Sequence, residues 1–242
     1  MNFETILHKI DENINLDFGT IFSRSFDLFK LVWVQGFVTL LLTIVCMLPF
    51  YLAMYAPMIA MGISDPEALE SGALPPVLML VMFVVMPIFM VVFMMIGLSL
   101  NAAFLRICKH KDLNEMAKDD YFYFLKGKNL GKLFMLSLLV FGLSLLGMIA
   151  CGVGLVYMMV PISLVPAFMA FNEELTPMEM IKASFKLGNK NWIVIFGLIF
   201  VMGFIAQLGM FLCFIGVLFT AMLSKIPVYF MYKDGVGFPI EE

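Results

Sequence analysis

Long charge-free blocks alternate along the chain with short polar ones. Residues 31–64, 71–105, 133–172 and 191–224 contain no Asp, Glu, Lys, Arg or His. A helix needs about 20 apolar residues to cross a bilayer. The last two blocks each have room for two crossings, divided by glycine-containing turns near Cys151 and Cys213. The pattern predicts six transmembrane helices, near 32–58, 75–104, 132–149, 153–171, 192–209 and 212–231. The first two are overlong and contain Pro49, Pro57 and Pro87, so they are expected to tilt, kink or protrude. In the second, Met79, Met82, Met86, Met90 and Met94 fall every three or four residues. That spacing puts five thioethers on one helix face.

The polar blocks have a helical period of their own. In "TPMEMIKASFKLGN" (176–189), Thr176 can N-cap, Pro177 suits the first helical position and Glu179 completes a capping box. Gly188 is a plausible residue just past the helix end. Met178, Ile181 and Phe185 form an apolar face; Glu179, Lys182 and Lys186 form a polar one. Such a short helix is marginal in water. Lying in the headgroup layer, it would bury its apolar face and hold its lysines near anionic lipid. Trp33 and Trp192 then mark where two chain segments enter the membrane, and with Phe185, Lys182 and Lys186 they are candidate interface anchors.

Internal repetition organises these elements. "LGMIACGVG" (146–154) and "LGMFLCFIG" (208–216) share L-G-M-x-x-C-x-x-G at an offset of 62 residues. At that offset, 10 of 32 positions are identical between 123–154 and 185–216. "SFDLFKLVWVQGF" (25–37) and "SFKLGNKNWIVIF" (184–196) share S-F-x-L-x4-W-x3-F. The segments "AFLRICKHKDLNEM" (103–116) and "AFMAFNEELTPMEM" (167–180) share A-F-x10-E-M, and "VPAFMAFNE" (165–173) is similar to "IPVYFMYKD" (226–234). The unit is an amphipathic lead-in, a helix, an outer turn, a second helix and an aromatic exit. It occurs three times, over about 17–108, 113–171 and 176–233 of one integral membrane domain spanning 1–242. Gly147, Gly154, Gly209 and Gly216 recur at the two outer turns and are candidate close-packing positions. Two spans per unit keep the three hairpins parallel, so the simplest arrangement is an all-α pseudo-threefold bundle with its axis as a cavity.

Composition and charge sharpen this picture. The chain is 62% apolar and only 14% charged, far from a soluble domain. Taking both termini and the 106–132 and 172–191 loops as cytoplasmic collects all 15 Lys and Arg on one side, with Lys225 and Lys233 counted in the tail. The sizeable outer loop, "SDPEALESGALPP", holds Asp65, Glu67 and Glu70 and no basic residue. This is the positive-inside pattern of a multi-pass protein with both termini cytoplasmic. No cleavable signal is expected in the polar first 30 residues. No basic stripe with interleaved aromatics points to nucleic acid.

The stretch "VPAFMAFNEELTPMEMIKASFKLGNKNWIVIFGL" (165–198), with a weaker echo over 18–40, resembles a broad group of bacterial six-span inner-membrane proteins. The group includes the membrane domain found beside glycerophosphodiester phosphodiesterases. The resemblance implies a location in the bacterial inner membrane and transfers no catalytic residue.

Several chemistries are excluded. Only His8 and His110 are present, so a multi-histidine iron site cannot be built. No Walker A, GxSxG, HExxH or CxxC motif occurs. With Lys132 assigned to the 106–132 loop and Lys225 to the tail, no charged residue lies in a span, which argues against a proton-coupled pump. Gln35, Thr39, Thr43, Asn101, Ser144, Gln207 and Thr220 are left as hydrogen-bonding groups between helices. No enzyme and no cofactor is expected. The favoured reading is a scaffolding or bilayer-organising component whose partners are membrane lipids and a protein in the membrane. The alternative is a carrier or channel for an apolar or amphiphilic molecule along the charge-free axis. A remote third is a copper protein, with Met148, Cys151, Met210 and Cys213 as soft ligands. Free cysteines in membrane helices ordinarily act as small apolar residues, and a Cys151–Cys213 disulfide at the outer face is the other use open to these two thiols.

Overall fold

The computed structural model describes residues 1–13, 15–60, 76–150, 152–209 and 215–238. The elements are α1 (Phe3–Glu12), α2 (Phe18–Ala60), α3 (Pro76–Asp112), α4 (Gly127–Ile149), α5 (Val153–Phe171), α6 (Pro177–Lys190), α7 (Trp192–Leu208), α8 (Ile215–Thr220) and α9 (Ile226–Gly235). Short 3-10 turns occupy Tyr123–Leu125 and Ala221–Lys225, and no strand occurs among the described residues.

Four helical segments are long and apolar enough to cross a membrane: Phe18–Ala53, Phe83–Asp112, Asn129–Ile149 and Val153–Phe171. The pair α6 and α7 makes a fifth if counted as one broken span, bent by 93°. That is four or five spans where the hydrophobic pattern predicts six. The difference lies at the C-terminal end. Predicted helix 212–231 is divided into the six-residue α8, a 3-10 turn and the ten-residue α9, with Pro227 at the start of α9. Proline lacks the N–H that would carry the helix across that point.

The lead-ins also differ from one another. At 43 residues, α2 runs straight from the polar start at Phe18 into the apolar run and continues past Pro49 and Pro57. The stretch aligned with it in the sequence, 184–196, breaks at Asn191, which serves as C-cap of α6 and N-cap of α7. Asn191 is buried and its Oδ1 accepts the Leu16 N–H at 3.0 Å, so the side chain has a reason to hold the corner. The S-F-x-L-x4-W alignment puts Val32 at this place in α2, and valine offers no such bond. In the 113–126 stretch the described residues form no α-helix, only the turn at Tyr123–Leu125.

Helix α6 does not lie open to lipid on one face. Its capping box forms: Glu179 N–H donates to Thr176 Oγ1, and Thr176 N–H donates to Glu179 Oε2 at 2.8 Å. Met180, Ile181, Ala183, Ser184 and Leu187 are buried, and the helix packs along α5. Met178, expected on the apolar face, is exposed. Gly188 is not past the helix end either; it lies within α6, where an added Cβ would meet the Pro161 Cα at 3.2 Å. Its missing side chain lets α6 approach the proline of α5 closely.

At one end the helices are tied by polar contacts. Arg24 of α2 donates to both Asp234 oxygens, at 3.0 and 2.8 Å, and stacks over Phe230. Asp112 at the end of α3 accepts from Tyr229 at 2.6 Å and pairs with Lys233. Arg106 pairs with Glu173 at 2.6 Å and stacks over Tyr123. Lys190 donates to the carbonyls of Ile10, Asp11 and Asn13, closing the C-terminal end of α1. The exit aromatics Phe168, Phe171, Tyr229, Tyr232 and Phe238 stack on one another beneath this layer.

Candidate functional site

Proline shapes the interior. Helix α5 carries Pro161 and Pro166, so the carbonyls of Tyr157 and Ile162 have no N–H donor four residues on. The Tyr157 carbonyl is satisfied from outside the helix, by the Trp192 indole N–H at 3.2 Å. Trp192 is half-buried and stacks on Phe196. Its counterpart Trp33 is 45% exposed and lies against Phe219. Phe185 is half-buried beside Tyr157; Lys182 is exposed; Lys186 pairs with Asp11 of α1 at 2.6 Å. Of the predicted anchors, Trp192 and Lys186 are therefore engaged with protein.

The prolines and glycines of the middle turns leave a half-open cavity of about 410 Å³ between α3, α4, α5, α7 and the 221–228 stretch. Its wall is mostly apolar, from Met94, Leu98, Val140, Ile162, Ile199 and Val228. Gly97 and Gly203 also line it, and an added Cβ at either meets nothing within 4 Å. Val140, Ile162 and Ile199 each sit within about one residue of the midpoint of their apolar helix, and Leu98 lies about two turns inside the charged end of α3 that starts at Arg106. The cavity therefore lies halfway along the bundle.

Four polar side chains reach this wall: Asn101, Ser163, Ser224 and Lys225. Asn101 Nδ2 donates to the Gly97 carbonyl at 2.7 Å, while its buried Oδ1 has no hydrogen-bond partner. Ser163 and Ser224 donate to the carbonyls of Val160 and Ala221. Lys225 is exposed and borders the half-open cavity, and no hydrogen bond or ion pair involves it among the described residues. From Lys225 to the end of α9 at Gly235 is ten residues, or about 15 Å of helix, half the hydrocarbon thickness of a bilayer. Lys225, counted with the tail in the sequence reading, lines the cavity between the helices. The sequence carried the signal, a lone lysine between "GVLFTAMLS" and "IPVYFMY".

The other candidate residues fall elsewhere. An added Cβ on Gly154 would lie 2.8 Å from the Gly147 carbonyl oxygen and 3.1 Å from its Cα. One on Gly209 would lie 2.7 Å from the Gly216 carbonyl carbon. The two glycines of each pair thus approach one another closely. Gly152, with φ +81°, reverses the chain there in the left-handed conformation that glycine tolerates. Met148 is 63% exposed; Cys151, Met210 and Cys213 lie outside the described residues, as does the acidic 65–70 loop. Of the methionine stripe, Met86 and Met90 are partly or well exposed, Met94 lines the cavity, and the side chains of Met79 and Met82 are outside the described set.

The fold and cavity define a class: an all-helical protein whose apolar helices are compatible with multiple membrane passes. No protein-family model, curated protein or solved structure matches the chain.

Proposed function

We propose that this is an integral inner-membrane protein that takes an amphiphilic molecule into its central cavity and carries or holds it there. The observation behind this reading is the cavity itself, placed midway along the bundle and lined by all three hairpins. Small-molecule sites are concave, mostly apolar and punctuated by a few polar groups, with volumes of roughly 300–1,000 Å³. A scaffold needs no such space. The packing of α6 onto α5 also removes the lipid-exposed lead-in face that a bilayer-organising role would use.

The three-unit, six-span plan underlies the proposal. It is supported by the paired glycines at two outer turns. It is also supported by Ser25 and Ser184, aligned in the sequence, both buried and both donating to the carbonyl four residues back, at 2.7 and 2.8 Å. The broken third hairpin fits as well, since interrupted helices in membranes occur where they line a cavity or are buried in protein.

The test is crosslinking in bilayer nanodiscs with a monoacylglycerol bearing a diazirine in mid-chain. Adducts are expected on residues 94–105, 162–166 and 199–203, and should decline in Gly97→Leu/Gly203→Leu. Adducts confined to outward residues such as Phe83, Ile88, Phe200 and Phe204 would overturn the proposal.

A further inference from the structure

Building on the amphiphile reading, we infer that the ligand is a single-chain monoanion whose headgroup also donates a hydrogen bond. Lys225 is its counter-charge and Asn101 its acceptor.

An ammonium halfway through a bilayer is costly unless it is paired or wet, and such residues mark ligand or ion paths. Lys225 has no internal counter-ion among the described residues. The nearby acids of the bundle end are committed: Asp112 to Tyr229 and Lys233, Asp234 to Arg24, Glu173 to Arg106. The cavity wall itself contains no carboxylate. One positive charge facing an apolar space selects one negative charge, hence a monoanion.

Asn101 adds the second requirement. Its amide orientation is fixed, because Nδ2 is the group that can donate to the Gly97 carbonyl. Oδ1 is left buried without a donor, which is unfavourable unless a ligand supplies one. The remaining polar groups agree. Ser163 and Ser224 have given their protons to their own helices, so their free lone pairs accept. Pro166 leaves the Ile162 carbonyl without its helical donor. The wall is one cation among acceptors, which fits an anionic headgroup carrying a hydroxyl. A volume of about 410 Å³ suits one acyl chain and not two.

The experiment measures binding of three chain-matched ligands to the full chain in nanodiscs. They are a monoacyl glycerophosphoglycerol (a phosphodiester monoanion with hydroxyls), a fatty carboxylate (anion alone) and a monoacylglycerol (hydroxyl alone). Lys225→Met should weaken the two anions about 10- to 100-fold, the range of a charge-assisted hydrogen bond, and leave monoacylglycerol within about twofold. Lys225→Arg should retain the anions. Asn101→Leu should weaken the two hydroxylated ligands and spare the carboxylate. Melting at or above wild type for Lys225→Met verifies folding, since it removes an unpaired charge. Equal losses for charged and neutral ligands, or no loss in Lys225→Met, would overturn the inference while leaving the cavity reading intact. Failure of all three ligands to bind wild type would overturn the cavity reading and this inference with it.

Discussion

The closest backbone approach in the second hairpin gives a sharp test of the packing. Gly147 near the end of α4 faces Gly154 at the start of α5. A Cβ on Gly154 would lie 2.8 Å from the Gly147 carbonyl oxygen and from the Ala150 Cβ, where ordinary contact begins at 3.4 Å. Gly154→Ala must therefore find about 0.6 Å, and what it strikes is largely backbone, with no flexible tip to swing aside. Overpacking of this kind costs about 1–3 kcal/mol. Alanine recovers up to about 1 kcal/mol over glycine in a helix. The net loss is about 0–2 kcal/mol, or up to roughly 8 °C in melting temperature for a chain of this size, and the gap to a control that shares the alanine gain is the full cost of about 1–3 kcal/mol. Gly142→Ala, inside α4 with nothing within 4 Å of the new methyl, is the matched control and should melt at or slightly above wild type. The assay is thermal unfolding in nanodiscs followed by the fluorescence of Trp33 and Trp192. Gly154→Ala melting as high as Gly142→Ala would refute the reasoning.

Three further outcomes are expected. Trp192→Phe leaves the Tyr157 carbonyl, already deprived of a donor by Pro161, without its indole partner and should cost about 1–3 kcal/mol; Trp33→Phe, with no such bond, should be near neutral, and equal melting of the two variants would contradict this. The backbone and side-chain bonds from Thr176 hold the Glu179 carboxyl below its usual range, so its contribution is fully present above about pH 4.5 and is lost as pH falls through the lowered value; the melting gap between wild type and Glu179→Gln should shrink on acidification, and a constant gap counts against it. In a chain freed of its native cysteines, Ala68→Cys should react with an impermeant maleimide from outside intact cells and Lys118→Cys only after lysis; the reverse pattern would invert the topology.

The helical class was legible because charge-free runs and capping signals are local properties of the chain. The Thr176–Glu179 box is a case where three residues specify a helix start and the structure builds it. Helix α1 escaped the sequence reading although Ile6 and Ile10, four apart, are its buried residues. Its stability comes from docking on α6 and from the Lys190 cap, both long-range. The same holds for Gly188. Glycine near a helix end reads as a stop, and only the proximity of Pro161 explains its place within the helix. The corner at Asn191 depends on a bond to Leu16, 175 residues away. Lys225 was visible in the sequence but its place beside the cavity was not, because a charge at the edge of an apolar run reads as a boundary unless one knows that the helix breaks at Ala221–Lys225 and resumes beyond it.

The central claim, a bilayer bundle that holds an amphiphile halfway along its length, is tested most directly by native mass spectrometry of the chain ejected from membrane vesicles without detergent exchange. The account predicts one retained single-chain amphiphile per chain, and its loss in Gly97→Leu/Gly203→Leu, which adds two side chains at cavity-lining positions where a Cβ meets nothing within 4 Å. A wild-type chain that carries no adduct, or an adduct held equally by wild type and the filled variant, would contradict it.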